Sequence, residues 1–162
     1  MTEDREQQLL FELEHVDWDI VMLNETWRPL KEEIWSSSGH LFLGAGGTGH
    51  CSGVAILVNR RWAKGFKGFK RLSERLCALD LNILRRKIRF IVPYMPTSWH
   101  PYALVEGMYA DLSMLCAEAQ RLQRVTLIAG DFNAVVDTRR PEDCHSCIGE
   151  HGLGDRNERG NV

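Results

Sequence analysis

Two stretches of the chain repeat their apolar residues every three or four positions. Leu9, Leu10, Leu13 and Val16 share one face of a helix over residues 3–16. Leu104, Met108, Leu112, Leu115, Ala119 and Leu122 do the same from Tyr102 to Arg124. Between the helices the pattern shortens to strand length. Trp18 to Leu23, Leu41 to Leu43 and Gly53 to Val58 are apolar runs bounded by turn residues. Trp27-Arg28-Pro29 interrupts them, since Pro29 disfavours helix at Arg28. Arg75 to Ile83 and Lys87 to Tyr94 alternate as a pair of strands joined by the turn Leu84-Arg85-Arg86. Pro93 cannot donate a ladder hydrogen bond, so that strand end is irregular or at an edge. Pro96 to Pro101 is a loop, and the second helix leads into Val125 to Ala134. That last run opens with β-branched residues, the composition of a buried strand, and completes a strand–helix–strand unit. After Ala134 the chain is polar with little periodicity. The alternation of strands and helices predicts an α/β fold.

A length of 162 residues with 44% hydrophobic and 26% charged suits one globular domain over residues 1–162. No apolar run reaches the length of a membrane span, and the polar, acidic start is neither a signal nor a transit sequence. Five cysteines at scattered spacing argue against a disulfide framework, so a reduced intracellular setting, nuclear or cytoplasmic, is expected.

The net charge is only −2, but it is unevenly spread. Residues 1–33 hold ten acids against three bases, and residues 60–89 hold eleven bases against Glu74 and Asp80. Arg60, Arg61, Lys64, Lys67, Lys70 and Arg71 lead that basic segment and are candidates for gripping a phosphate backbone. Solvated hairpin surface explains the charge equally well. Gly44-Ala-Gly-Gly-Thr-Gly49 matches a dinucleotide-binding pattern, but a strand follows instead of a helix, so it is read as a hairpin loop. Asn24-Glu25-Thr26 matches a glycosylation sequon, which carries little in a chain with no secretion signal. Cys144-His-Ser-Cys147 with His151 has part of a zinc spacing but no second cysteine pair, and is read as a reduced loop.

The most informative stretch is Gly130-Asp-Phe-Asn133. A strand that stops there sets a carboxylate and an amide at the rim of a sheet, where open α/β sheets bind what they act on. Its glycine lets the backbone turn or approach a ligand closely. For an isolated Asp-x-Asn, local turn chemistry is the commoner reason. Here it stands in company. Asp19-Ile-Val-Met-Leu-Asn-Glu25-Thr, Gly53-Val-Ala-Ile-Leu-Val58, Tyr94-Met-Pro96 and Gly130-Asp-Phe-Asn133, in that order, resemble the endonuclease/exonuclease/phosphatase family. The tail from Ile148 to Gly160 narrows the likeness to LINE-type retrotransposon endonuclease domains and the craniofacial development protein 2 group. The resemblance runs from about Asp17 to the last residue.

It implies a four-layer α/β sandwich, two packed mixed sheets with outer helices, and Mg²⁺- or Mn²⁺-dependent hydrolysis of phosphate esters. By motif, Glu25 corresponds to the metal-binding glutamate, Asp131 and Asn133 to the residues that position water and phosphate, and Tyr94 to the tyrosine beside the scissile phosphate. The chemistry is consistent with that assignment. Mg²⁺ takes one or two carboxylates and keeps waters and phosphate oxygens for the rest. Glu25 could otherwise be an exposed loop acid, and Tyr94 a core aromatic with its hydroxyl at the surface.

The chain also departs from the family pattern. The family's first, asparagine-bearing strand and its closing Ser-Asp-His have no counterpart here, so the domain is expected to be incomplete at both termini and weak or inactive. An incomplete second sheet would expose an apolar face. Asn24 stands where glutamine is commoner, and Val92 where an asparagine often precedes the tyrosine by two. DNA is the expected substrate, with a reverse transcriptase domain possible in a longer parent polypeptide. Two alternatives stay open. One is a non-catalytic nucleic-acid-binding remnant using residues 60–89 with Trp62, Phe66 and Phe69 as stacking surfaces. The other is a phosphatase of the same family.

Overall fold

The computed structural model describes residues 3–29, 33–47, 52–144 and 148–161. Among them the chain runs α1 (Glu3–Leu13), β1 (Ile20–Asn24), β2 (Glu33–Ser37), β3 (His40–Ala45), β4 (Val54–Val58) and α2 (Arg60–Ala63). It continues through β5 (Phe66–Ser73), β6 (Leu76–Ile83), β7 (Arg86–Pro93), α3 (Tyr102–Arg121), β8 (Val125–Ile128) and a short 3₁₀ turn at Glu158–Asn161. The first sheet has the order β1-β4-β3-β2 and is antiparallel throughout. The second has the order β5-β6-β7-β8, antiparallel except for the parallel pair β7–β8.

The inner faces of the two sheets make one core. Leu43, Ala45, Val54, Ile56 and Val58 meet Cys77, Leu79, Leu81, Phe90, Val92 and Tyr94. Each outer face takes a helix. Leu10 and Leu13 of α1 cover Trp18, Phe42, Ala55 and Leu57, while Val105, Met108, Leu112 and Leu115 of α3 cover Leu76, Ala78, Ile91 and Met95. Helix, sheet, sheet, helix is the four-layer α/β sandwich. β4 is buried along its whole length because it is central in its sheet and covered on both faces, as its unbroken run Val-Ala-Ile-Leu-Val requires.

Several local expectations change in three dimensions. β2, α2 and β5 have no clear periodic signal in the sequence, and each is an element here. The two-residue turn between β6 and β7 is Leu84-Arg85, both with positive φ, as the right-handed twist of a tight hairpin demands. Val16 lies beyond the end of α1 and is exposed. Leu104 and Leu122 are also exposed, and Val105 takes the inward position instead. β7 is internal rather than an edge, and Pro93 is tolerated because it is the last residue of the strand. The largest correction concerns β8, which reads as buried and is not. It pairs with β7 alone among the described residues, leaving Val125, Leu127 and Ile128 at 53%, 48% and 40% exposure. That is the exposed apolar surface expected of the second sheet. Part of the Gly44–Gly49 loop, residues 48 and 49, lies outside the described residues, as do residues 145–147 of the cysteine–histidine stretch.

Candidate active site

Three strands converge on one end of the sandwich. β1 ends at Asn24, β7 at Pro93, and β8 runs parallel to β7 toward the same end. Asn24 Nδ2 donates to the Pro93 carbonyl at 2.9 Å and so ties the two sheets together there. Where the family more often has glutamine, this shorter amide is spent on the backbone. Asp131 continues β8 as a parallel bridge to Tyr94, with its N–H on Pro93 O at 3.1 Å and its carbonyl accepting from Met95 N at 2.8 Å. Gly130 makes this approach possible. A Cβ there would lie 2.1 Å from the Pro93 carbonyl oxygen, so the glycine serves close packing against β7 rather than against a ligand.

Glu25 sits just past β1 in a left-handed conformation, φ 55°, and Trp27 does too, φ 53°. The kink is held from the β4 side, where Thr26 N donates to Gly53 O and Trp27 N to Ser52 O, each at 3.0 Å. Gly53, at φ 104°, leaves room for the buried Thr26 hydroxyl, which would be 2.4 Å from a Cβ. Turned this way, Glu25 Oε1 accepts the Tyr94 hydroxyl at 2.7 Å across 69 residues of sequence.

Tyr94 is a core aromatic whose hydroxyl reaches Glu25. Burial, then the hydrogen bond and charge of Glu25, with Asp131 adding less, push its phenol up, so it stays a proton donor at neutral pH. The Arg75 guanidinium lies over the ring at 4.6 Å and works in the opposite direction. Asp131 Oδ1 accepts the Asn133 amide at 2.9 Å, and Asn133 Nδ2 donates to Met95 O at 2.7 Å with Asn133 at φ 48°. The side-chain turn expected of an isolated Asp-x-Asn is present, and it fixes the amide against the strand that carries Tyr94. Val92 is fully buried in the inter-sheet core and offers no polar contact.

Glu25, Tyr94, Asp131 and Asn133 are thus linked through Tyr94 and the strand end behind it. A cleft of about 300 Å³ opens on the Glu25 side, lined by Arg5, Leu23, Asn24, Glu25, Thr26 and Trp27; Asp131 and Asn133 are not in its wall. Neither Glu25 nor Asp131 forms an ion pair among the described residues. No group of three or more histidine, cysteine or acidic side chains gathers among those residues either. Two carboxylates with oxygen to spare suit a hard cation completed by water and phosphate rather than one caged by protein.

The basic candidates are not drawn to this end as a group. Arg60, Arg61 and Lys64 follow β4 at the opposite end, where Val58 pairs with the start of β1. Arg61 pairs with Asp17 and Asp19, and Lys67 is also at that far end of β5. Lys70 pairs with Glu118 on the outer face. Arg71 alone reaches toward the site, donating to Gly46 O at 3.1 Å. Trp62, Phe66 and Phe69 pack against the inter-sheet core and are not free stacking faces.

Sequence reading passed over Arg75 and Asn157. Arg75 is one cation among eleven, and its place at the start of an alternating strand is the only sequence hint that it lies at a strand end. Asn157 explains the tail. Its Oδ1 accepts from Val135 N at 3.1 Å and Gly160 N at 2.9 Å, and its Nδ2 reaches Asn133 O at 3.4 Å. Arg156 holds Asp143 through two bonds and the carbonyls of Val136 and Thr138. The tail is a brace behind the Asn133 segment.

The chain is 25% identical over 149 residues to craniofacial development protein 2 of Tragulus javanicus, covering 92% of this chain and 25% of that protein. It therefore spans about a quarter of the relative's length. Residues 5–157 match the Endonuclease/Exonuclease/phosphatase family, and with its four layers and strand-end acids the chain belongs to that family, which supports a domain of phosphodiester hydrolase type.

Proposed function

We propose that this domain is a divalent-metal-dependent phosphodiester hydrolase of DNA endonuclease type. The observation that carries the reading is the Tyr94 hydroxyl bonded to Glu25 while the same strand end is bridged to Asp131. Metal dependence is general in the family. Glu25, with Asp131 close by, would hold Mg²⁺ or Mn²⁺, and the ion would offset charge on the phosphate. Asp131 has one oxygen engaged by the Asn133 amide and directs the other at an attacking water. Tyr94, kept protonated, would turn its single O–H from Glu25 to a phosphate oxygen once a cation occupies that carboxylate, and Asn133 Nδ2 has a second N–H beyond its bond to Met95 O to offer as well. Arg71 is the one member of the basic group placed to meet the strand near the site, while Arg60, Arg61, Lys64, Lys67 and Lys70 would act as distant, salt-screened attraction.

No histidine is hydrogen-bonded to any of these four side chains among the described residues. General acid–base catalysis commonly contributes about 10²–10⁴-fold, so these residues alone give slow hydrolysis. The test is nicking of supercoiled plasmid over hours with Mg²⁺, Mn²⁺ or EDTA, alongside Mn²⁺ binding. Metal-dependent nicking lost in both Glu25→Gln and Asp131→Asn supports the reading. Nicking that survives both changes overturns it. DNA binding without any nicking or Mn²⁺ affinity replaces it with a non-catalytic binding domain.

A further inference from the structure

We propose that the Trp27 indole is a base-stacking residue of the site, so that the cleft receives a nucleotide of a DNA strand rather than a bare phosphate. The proposal rests on the phosphodiesterase reading above and assigns a residue that reading does not use. Trp27 lines the same cleft as Glu25 and Arg5 and is 54% exposed. Its φ of 53° is costly for a bulky aromatic, and such strain persists only where the surroundings impose it. The surroundings here are the Ser52 carbonyl, which takes the Trp27 N–H, and the Gly53 carbonyl, which takes that of Thr26. Among the described residues the ring belongs to none of the three buried clusters, so none of them accounts for the strain. An indole held out beside a carboxylate and a guanidinium matches the parts of a nucleotide. The base has a face to stack, and the phosphate meets Arg5 and a cation held by Glu25. Because duplex bases have their faces covered, the fit is to an unpaired base.

The test is tryptophan fluorescence titration with a short single-stranded oligothymidylate, with Ca²⁺ in place of Mg²⁺ to slow cleavage. Inorganic pyrophosphate is the probe for phosphate alone. Quenching on oligonucleotide binding is expected, with affinity about tenfold weaker in Trp27→Ala, largely restored in Trp27→Phe, and pyrophosphate binding unchanged. The more exposed Trp99, 94% accessible but outside the cleft, is the control, and Trp99→Phe leaves the affinity as it was. Trp27→Gly separates function from structure. Relief of the left-handed strain raises Tm by a few degrees while oligonucleotide affinity falls. Equal affinity in wild type and Trp27→Ala overturns the proposal, as does dependence on Trp99 instead, or a Trp27→Gly protein of lower Tm. A wild-type chain that binds no oligonucleotide also overturns it. The phosphodiesterase reading is then judged separately by Mn²⁺ binding and hydrolysis of bis(p-nitrophenyl) phosphate, which presents no nucleobase.

Discussion

Two charged clusters on this molecule use the same residue types to opposite ends. On the outer face of the second sheet, Arg89 is only 3% exposed yet fully engaged. It bonds both oxygens of Asp80 at 2.7 and 2.8 Å, Glu118 at 2.8 Å and the Leu115 carbonyl at 3.1 Å. Lys70 and Arg124 complete the balance of charge around it. Bonds to Asp80 hold Arg89 well above its ordinary range, and Lys70 and then Arg89 hold Glu118 below its own. At the strand ends, Glu25 and Asp131 instead lie exposed with no ion-pair partner among the described residues, on backbone that includes left-handed Glu25 and Asn133. A network in which acids and bases pair with one another fixes how β6, β7 and α3 pack. A site with unmatched negative charge is left for a cation and a phosphate to complete.

The sharpest way to break that contrast is to disturb each cluster and measure both stability and activity. Arg89→Met takes the buried guanidinium away from the half-buried Asp80 and Glu118, which keep Arg124 and Lys70, and should cost about 3 kcal/mol in urea unfolding. Replacing Asp80 by leucine as well should recover part of the loss, because the uncompensated charge goes with it. Glu25→Gln and Asp131→Asn should leave unfolding within about 0.5 kcal/mol while lowering metal-dependent nicking by about 10²-fold or more. If Glu25→Gln unfolds as readily as Arg89→Met, the two clusters do not differ in kind.

Glycines offer a second comparison. Gly130→Ala drives a Cβ into the Pro93 carbonyl and should destabilise by about 1–3 kcal/mol and disturb the site. Gly107, within α3 with open space around it, should instead gain about 0.5–1 kcal/mol on change to alanine. Thermal unfolding of the pair reads both signs.

A smaller effect is expected in the tail. Asn157→Ala removes the acceptor for Val135 and Gly160 amides, costing about 1–2 kcal/mol locally. Asn157→Asp keeps that acceptor, so amide exchange at both positions should accelerate in the first variant and not in the second. The least effect is that of pH on the same brace. Hydrogen bonds from Arg156, then the Arg140 amide, hold the Asp143 carboxyl far below its usual value. A depressed carboxylate stabilises in full above its unfolded value near 3.9 and loses that contribution only as pH falls through the lower folded value. Exchange at Val135 should therefore be insensitive to Asp143 between about pH 5 and 8 and rise only in acid. A transition near pH 6 would show that another group governs the brace.

These comparisons also mark how much could be read in advance. β6, β7 and α3 were legible because alternation and helical spacing persist over whole elements. Asp131 and Asn133 could be picked out because they follow a strand and a glycine, whereas Glu25 and Tyr94 were picked out by the resemblance of their motifs to those of the family. β2 and β5 were not legible. β5, Phe-Lys-Gly-Phe-Lys-Arg-Leu-Ser, lies at the edge of its sheet, so its alternation is diluted by charge and glycine. How the basic segment divides in space was not legible for a related reason. Net charge along the chain counts residues, whereas a hairpin sends successive parts of that count to opposite ends and faces.

The chain by itself therefore determined the element types, the α/β class and the order in which acid, tyrosine and Asp-x-Asn arrive, because these depend on local periodicity and turn chemistry. Tertiary structure alone decided that β8 lies open at an edge. It also decided that Gly130 serves Pro93, that Trp27 stands in the cleft and that Asn157 braces Asn133. Each of these depends on which distant backbone comes within hydrogen-bond reach. The contact of Tyr94 with Glu25 spans 69 positions that no local pattern connects. It exists because two sheets, each closing its own hydrogen bonds, had to bury their apolar faces against one another.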